Sequence, residues 1–382
     1  MSTRFNKIKD LSSIGIADVI GSAISALFWF YLATLIEPEA YGEIMYLLSI
    51  AAIASNVALL GATQSLLVYS AKDVKIHSTL YLLNLVLGVT AAIVVSFIVN
   101  DPSVGLLVIG YMVFAIAYSD VLGKKYFKTY TKYILIQKCL MVSLSLGFFF
   151  IFGKDAIILG MAISFLIGIL RIIHGFRETK IDYKLFKEKF SFISFNYAHS
   201  ITGALHGSLD KIIIAPILGF TLLGNYSLGL QFFSLLMILP VIVGKYLIPL
   251  ESTGDENKKL KRIIILASVI IGVLGVIIGP EIISFLFPKF SEADSIIRII
   301  SLGVIPSTMI ITYKSKFLAM EKGNYILYLG IMRTGILIFS IIILGTFYSI
   351  EGVAVAIVLS SICAAIFAEI MTRKLEFKKT KQ

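Results

Sequence analysis

Residues 171–190 read RIIHGFRETKIDYKLFKEKF and form the longest charged interval in a chain that otherwise consists of successive apolar segments. The interval holds six basic and three acidic residues. The blocks on its two sides have similar lengths, and each divides into a similar number of apolar segments. We therefore predict a cytoplasmic bridge between two membrane-embedded lobes, with the lobes over residues 1–176 and 194–382 and a basic linker over residues 177–193.

The composition of the whole chain indicates a membrane protein. Of its 382 residues, 58% are hydrophobic and only 15% are charged, whereas charged residues make up about 25% of soluble domains. A transmembrane helix needs about 20 apolar residues, and about twelve segments of this length fit, six on each side of the charged interval. These segments are too long and too continuously apolar to be barrel strands. The predicted fold class is therefore an all-α integral membrane protein.

The distribution of the basic residues predicts the orientation of the chain. They cluster in alternate loops between the apolar segments, and the intervening loops are neutral or acidic. Since positively charged loops stay in the cytoplasm, we expect a multi-pass protein of the cell membrane with both termini cytoplasmic. The net charge of +11 then follows from membrane topology, and no nucleic-acid partner is expected.

The loops between the segments are too short to hold a catalytic domain. Loops such as residues 219–221 and 348–349 contain only a few residues. The sequence also has neither a Walker motif nor a cluster of residues with metal-ligand spacing. We therefore expect no enzymatic activity, no metal site and no cofactor, apart from H⁺ or Na⁺ as a possible coupling ion.

A weak internal repeat supports two related lobes. The tripeptide YIL at residues 133–135 recurs at residues 325–327, about half the chain away. The stretches TLIEPEAYGEIMYLL and PILGFTLLGNYSLGL also resemble each other, and each turns just before a glycine, Gly42 or Gly224. With six segments per lobe, corresponding segments keep the same direction, as in transporters with parallel repeats. We predict two pseudo-symmetric six-helix lobes around a central cavity.

Two rows of polar residues lie within or next to predicted membrane segments. Residues three or four positions apart lie on one face of a helix, and ionisable groups at membrane depth are costly enough to indicate function. Serine, glycine and asparagine in such rows can also simply pack helices together. We therefore predict Asp18, Asp210, His199 and His206 as ion-coupling candidates. The rows are Ser12, Gly15, Asp18, Ser22 and Ser25 in the first segment, and Asn196, His199, Gly203, His206 and Asp210 in the seventh.

Four basic residues within the segments are candidates to bind an anionic substrate, namely Arg333, Lys211, Lys138 and Arg298. We place Arg333 first, because it lies near mid-membrane and has no acidic residue within one helical turn. Lys138 and Arg298 can instead extend to the membrane surface, and Arg298 can pair with Asp294 four residues earlier. A cavity lined by these cations suits a phosphate group, which arginine binds through two parallel hydrogen bonds.

Four motifs carry a family resemblance that covers nearly the whole chain. The motifs are LIEPEAYGEI at residues 35–44, SLDKIIIAPILG at 208–219, GPEIISFLFPKFSEA at 279–293 and FLAMEKGNY at 317–325. Through these motifs the chain resembles the polysaccharide flippases of the multidrug/oligosaccharidyl-lipid/polysaccharide exporter superfamily. The resemblance implies two six-helix lobes, a central cavity and alternating access. It also implies a cargo consisting of an oligosaccharide linked to polyprenyl phosphate or pyrophosphate.

The predicted function is therefore a flippase for a lipid-linked oligosaccharide in surface glycan assembly. The alternatives are a multidrug or cation antiporter of the same superfamily, and a non-transporting scaffold of a polysaccharide assembly complex. The cations Arg333 and Lys211 argue against a cation antiporter, and the cost of buried charge argues against a scaffold. The expected partners are the anionic lipid-linked oligosaccharide, membrane lipids and glycan polymerase or glycosyltransferase machinery, with the protein itself a monomer.

Overall fold

The computed structural model of the chain describes residues 2–252 and 257–380, and the regular elements in this part are all helices. Three short 3-10 turns, Lys154–Ala156, Leu166–Gly168 and Ser301–Gly303, join or precede α-helices. The α-helices are α1 (Ser2–Leu35), α2 (Pro38–Ala58), α3 (Ala62–Ala71), α4 (His77–Val99), α5 (Pro102–Gly123), α6 (Phe127–Phe152), α7 (Ile157–Phe165), α8 (Ile169–Glu178), α9 (Tyr183–Leu218), α10 (Phe220–Leu236), α11 (Ile238–Ser252), α12 (Lys258–Leu286), α13 (Ala293–Ile300), α14 (Val304–Ala319) and α15 (Gly323–Thr380).

The predicted all-α, multi-pass membrane fold is confirmed. Ten helical stretches among the described residues are long and apolar enough to span a membrane, and α10 with α11 forms an eleventh, bent by 49°. The bend follows from Pro240, whose ring clashes with the carbonyl group four residues earlier in a straight helix. The stretch within α15 is interrupted at Tyr348 and Ser349, which have non-helical dihedral angles. Since each part of α15 exceeds about 20 residues, the described helices are consistent with the predicted twelve spans.

The charged interval at residues 171–190 is mostly helical. Helix α8 enters it from one side and α9 begins at Tyr183, so that only residues 179–182 are non-helical. The structure separates into two compact units, Met1–Trp29 with Leu47–Ala204, and Phe30–Tyr46 with Leu205–Gln382. We call them unit 1 and unit 2. The lobe boundaries that the sequence indicates, at residues 176 and 194, stay a prediction.

Helix α5 forms the centre of unit 1. The α5 membrane stretch is 72% buried inside the protein, whereas that of α6 is only 17% buried. Leu107, Met112 and Ile116 of α5 are completely enclosed. Met112 and Ile116 pack in one cluster with Leu80 and Tyr81 of α4. The near-continuous apolar sequence of α5 therefore reflects burial against other helices, while most residues of α6 are only partly buried or exposed.

In unit 2, helices α2 and α10 pack closely at the two glycines of the repeated hairpin, Gly42 and Gly224. A Cβ atom at Gly42 in α2 would lie 2.0 Å from the carbonyl oxygen of Phe220, and one at Gly224 in α10 would lie 1.9 Å from the carbonyl oxygen of Pro38. Only glycine permits backbones to approach this closely. The two stretches that the repeat pattern predicts to be equivalent thus meet in a reciprocal contact within unit 2.

The segment Phe30–Tyr46 is fixed to the rest of unit 2 by aromatic and ionic contacts. The rings of Tyr41 and Phe290 meet edge to face, with centroids 5.6 Å apart. Glu37 Oε1 lies 2.8 Å from Lys289 Nζ. Two of the motifs that carry the family resemblance, at residues 35–44 and 279–293, therefore contact each other.

Candidate functional site

Arg333 lies on the first part of α15 and is half-buried inside unit 2. Its Nη2 donates a hydrogen bond to Ser361 Oγ at 2.9 Å, across the antiparallel second part of the same helix. Its Nε is buried and has no hydrogen-bond partner among the described residues. A buried guanidinium nitrogen without an acceptor is costly, so this side chain is poised to bind an additional acceptor.

Lys314 on α14 is a second half-buried cation in the same region. Its charge interacts with that of Arg333, so the two basic side chains lie within electrostatic range of each other. Lys314 was not among the predicted site residues, although it lies within a helix, five positions before the end of α14. Its position within an apolar segment was the signal that could have identified it.

His206 on α9 joins this pair of cations. Its Nδ1 lies 3.2 Å from the hydroxyl oxygen of Thr334, the residue that follows Arg333. The charges of both Arg333 and Lys314 act on the imidazole ring. The three residues come from different helices of unit 2, and we call them the cationic cluster: His206, Lys314 and Arg333.

Asp210 and Lys211 form a closed pair on α9 rather than a second set of open charges. Asp210 is buried, and its Oδ2 accepts a hydrogen bond of 2.6 Å from the hydroxyl group of Tyr226. Lys211 Nζ lies 3.3 Å from Asp210 Oδ1 and also donates to the carbonyl oxygen of Gly207 at 3.1 Å. The charge of Lys211 is therefore largely offset by its neighbour.

Asp18 and Lys138 are the two candidates that lie on adjoining helices of unit 1. Asp18 on α1 is half-buried, and its Oδ1 accepts a hydrogen bond of 3.0 Å from the hydroxyl group of Tyr130 on α6. The stem of Lys138 on α6 passes Gly21, where a Cβ atom would lie 3.5 Å from Lys138 Cγ. The carboxylate of Asp18 thus faces a helix that also carries a cation.

The structure does not bring the remaining candidates into either group. His199 is exposed on α9 and belongs to unit 1, although it shares a helix with His206. Arg298 is exposed on α13, whose buried face is formed by Ile296, Ile297 and Ile300. Among the described residues, no three His, Cys, Asp or Glu side chains are arranged to hold a metal ion.

A buried ionic network in unit 1 was missed by the sequence analysis. Asp120 on α5 is completely buried, and its Oδ2 lies 2.6 Å from Arg171 Nη2 on α8. Arg171 also donates through Nη1 to Glu178 Oε1 at 2.9 Å, and Lys124 pairs with Glu178. Arg171 is therefore buried and hydrogen-bonded to two carboxylates, and it does not form part of an exposed cytoplasmic bridge.

The same network extends towards α3 and α4. Ser70 donates a hydrogen bond of 2.8 Å to Asp120 Oδ1, and the Ser70 hydroxyl lies 2.8 Å from His77 Nε2. The network joins four helices, α3, α4, α5 and α8, through side chains that are mostly enclosed. Two acidic and two basic groups balance each other, with the histidine as a fifth member, so we assign the network to the stability of unit 1.

Comparisons with known proteins identify a matching family and several solved structures of similar fold. The model of a family described as polysaccharide biosynthesis protein matches residues 31–287. The lipid II flippase MurJ in an inward closed conformation has a TM-score of 0.77 at 14% identity, covering 94% of this chain and 87% of that chain. An inward-facing multidrug resistance MATE family transporter of the MOP superfamily also has a TM-score of 0.77 at 14% identity, covering 98% of this chain and 99% of that chain.

A third structure is a MOP superfamily transporter from Pyrococcus furiosus, described as having a binding pocket of reverse polarity. Its TM-score is 0.68 at 14% identity, and 98% of this chain and 96% of that chain are covered. A comparison with curated proteins found no match. At these identities the structural likeness establishes the fold, which this chain shares with MurJ and the MATE transporters.

Proposed function

Because the chain belongs to the family of polysaccharide biosynthesis proteins, we propose that it is a flippase. Its cargo is an oligosaccharide linked to polyprenyl phosphate or pyrophosphate, which it moves across the cytoplasmic membrane by alternating access. The family concerns polysaccharide biosynthesis, and the fold is one found in a lipid II flippase. Both findings support a lipid-linked glycan as the cargo.

The cationic cluster of unit 2 is the observation that carries this proposal. Arg333 and Lys314 are half-buried in a membrane protein, and no ion pair within the described residues neutralises either of them. Holding such charges within a membrane protein is expensive unless they serve a ligand. An anionic group on the cargo offsets this cost in the bound state, and a phosphate supplies the required charge and acceptor oxygens.

The side chains of the cluster have complementary roles towards a phosphate. Arg333 provides a planar fork that can donate to two phosphate oxygens, and Lys314 provides a compact charge with three donors. The hydrogen bonds to Ser361 and between His206 and Thr334 hold the surrounding side chains in place. A phosphorylated lipid head group would therefore meet oriented donors rather than mobile surface lysines.

The alternative of a cation exporter receives less support from unit 2. A cationic substrate needs an available carboxylate, and Asp210 is already engaged by Tyr226 and Lys211. Asp18 of unit 1 is the acidic side chain that remains a candidate for H⁺ or Na⁺ coupling. We therefore assign substrate binding to the cationic cluster and ion coupling to Asp18.

Transport by purified protein in lipid vesicles tests the proposal. We expect Arg333→Ala and Lys314→Ala each to lower the initial rate of translocation of a fluorescent polyprenyl-pyrophosphate oligosaccharide by about tenfold or more, since a charged hydrogen bond contributes about 1.5–3 kcal/mol. Arg333→Lys should retain part of the rate, because the charge remains while the fork is lost.

Arg262→Ala is the matched control, because this arginine is exposed on α12. It should translocate the cargo at the rate of the unmodified protein. Wild-type rates in both Arg333→Ala and Lys314→Ala would contradict the assignment of the cluster. Translocation of cationic dyes in place of the glycolipid by the unmodified protein would favour the antiporter.

A further inference from the structure

Two apolar grooves flank the last membrane-spanning part of α15 in unit 2. The first has a volume of about 690 Å³ and lies between this part of α15 and the 3-10 turn with α14. The second has a volume of about 670 Å³ and lies between the two antiparallel parts of α15. Both grooves include Ile370 and Arg373 in their walls, so they meet at the same end of the helix.

The first groove has the dimensions of a single lipid chain in one leaflet. Its wall on α15 contains Ile362, Ile366 and Ile370, which are four residues apart and therefore stacked on one face. From Ile362 to Arg373 the helix advances about 16 Å, roughly half the hydrocarbon thickness of a bilayer. Ile362, Ile366 and Ile370 are also exposed in the protein alone, so lipid covers this face in a membrane.

Basic residues lie where the two grooves meet. Arg373 and Lys374 both line the second groove, and Arg373 also lines the first. Glu369 pairs with Arg373 through a contact of 2.6 Å, and Lys316 on α14 acts on the same carboxylate. Three basic residues, Arg373, Lys374 and Lys316, thus outnumber the one carboxylate of Glu369 at this end of the membrane span, which leaves a net positive site.

Tyrosines complete this site at the same end of the helices. Tyr325 and Tyr328 line the second groove, and tyrosine is enriched at the boundary between lipid chains and water. Basic pockets between membrane helices at such a boundary bind anionic lipid head groups. The positive charge where the grooves meet therefore matches the anionic head group of a lipid, and the apolar grooves beside it match the acyl chains of the same lipid.

We propose that this site binds an anionic membrane phospholipid, with its phosphate beside Arg373 and Lys374 and its two acyl chains in the two grooves. The site is distinct from the cationic cluster, and it does not depend on the proposed transport activity. A zwitterionic phospholipid has the same chains but no net charge, so the charged end should discriminate between the two lipids while the grooves should not.

Native mass spectrometry of the detergent-purified full-length chain tests the proposal, with phosphatidylglycerol and phosphatidylcholine of identical acyl chains as probes. We expect phosphatidylglycerol to bind preferentially, and the Arg373→Ala/Lys374→Ala double variant to lose affinity for it by about tenfold or more. Affinity for phosphatidylcholine should change little. Ile366→Trp, which fills the first groove and keeps the charge, should weaken the binding of both lipids.

The matched control is Lys128→Ala/Lys132→Ala, which removes two exposed basic residues from the start of α6 in unit 1. This variant should retain the lipid preference of the unmodified protein. Equal binding of the two lipids, or full phosphatidylglycerol binding by the Arg373→Ala/Lys374→Ala variant, would overturn the proposal. Competition by glycerol phosphate would show a site for free phosphate instead, and a dimer that excludes lipid would show that a second copy covers the grooves.

Discussion

Asp18 is suited to ion coupling because its carboxylate lies inside unit 1 and is oriented by a neutral donor. The hydroxyl group of Tyr130 on α6 donates a hydrogen bond of 3.0 Å to Asp18 Oδ1. Asp18→Asn keeps the size of the side chain but removes its charge. We expect transport in vesicles to lose its dependence on an imposed H⁺ or Na⁺ gradient, because no cation can be exchanged at an amide.

Asp155→Asn provides the comparison for Asp18, since Asp155 is exposed in the 3-10 turn after α6. Its transport rate should follow the imposed gradient as in the unmodified protein. If Asp18→Asn still responds normally to both gradients, Asp18 is not the coupling residue. Transport that is lost under every condition would leave coupling unsupported and would show instead that the carboxylate is needed for folding or for the cargo.

Arg171 is expected to matter for stability rather than transport. Arg171→Leu leaves Asp120 buried without its closest cation, and breaking a buried ion pair from one side costs about 3–5 kcal/mol. A clear fall in the thermal unfolding midpoint of the purified protein should follow. Arg177→Leu, at an exposed position on the same helix, should shift the midpoint little, since surface substitutions usually stay within about 0.5 kcal/mol. Equal midpoints for both variants would refute a structural role for the network.

At the scale of helices, the contact between α2 and α10 depends on its two glycines. Gly42→Ala would place a methyl group 2.0 Å from the carbonyl oxygen of Phe220, so the helices must separate. We expect a loss of about 1–3 kcal/mol, the usual cost of overpacking, seen as a lower unfolding midpoint. Gly147→Ala has open space around the new methyl group and should be neutral or stabilising. A neutral Gly42→Ala would mean that this contact contributes little.

The helices were largely predictable from the sequence because the bilayer fixes their length and composition. The turn at Tyr348 and Ser349 was also predictable, since it separates two apolar stretches that are each long enough to span. The partners of Asp120 were not, because Arg171 lies 51 residues away in sequence and local spacing cannot reveal such a pair. The proximity of Lys314 to Arg333 was not predictable for the same reason, because the two residues lie on different helices.

At the scale of the molecule, buried charge is treated differently in the Asp120 network and in the cationic cluster. In unit 1, acidic and basic groups of one network neutralise each other around Asp120. In the cationic cluster of unit 2, Arg333 and Lys314 lie near each other, and neither forms an ion pair with a carboxylate among the described residues. Charges that neutralise each other need no ligand and destabilise the fold when one partner is removed, whereas uncompensated charge favours a ligand. This difference is the physical reason for assigning phosphate binding to unit 2.

The direction of transport depends on which side of the membrane each loop occupies, and the positive charges predict it. Lys128 is exposed at the start of α6, and Asn324 is exposed at the start of α15. Both should face the cytoplasm. Lys154, just beyond the end of α6, and Ser291, before α13, are exposed as well and should face outwards. Single cysteines at these positions, in a chain with Cys139 and Cys363 replaced by alanine, can be tested in intact cells.

A membrane-impermeant maleimide should label Lys154→Cys and Ser291→Cys in intact cells, and Lys128→Cys and Asn324→Cys only after permeabilisation. The rise of about 1.5 Å per helical residue places Lys128 and Lys154 at opposite ends of α6, further apart than the roughly 30 Å of the hydrocarbon core. They must therefore differ in accessibility if α6 spans the bilayer. A reversed labelling pattern would place both termini outside the cell. Cargo from the cytoplasm would then enter at the helix ends that we predict to face outwards.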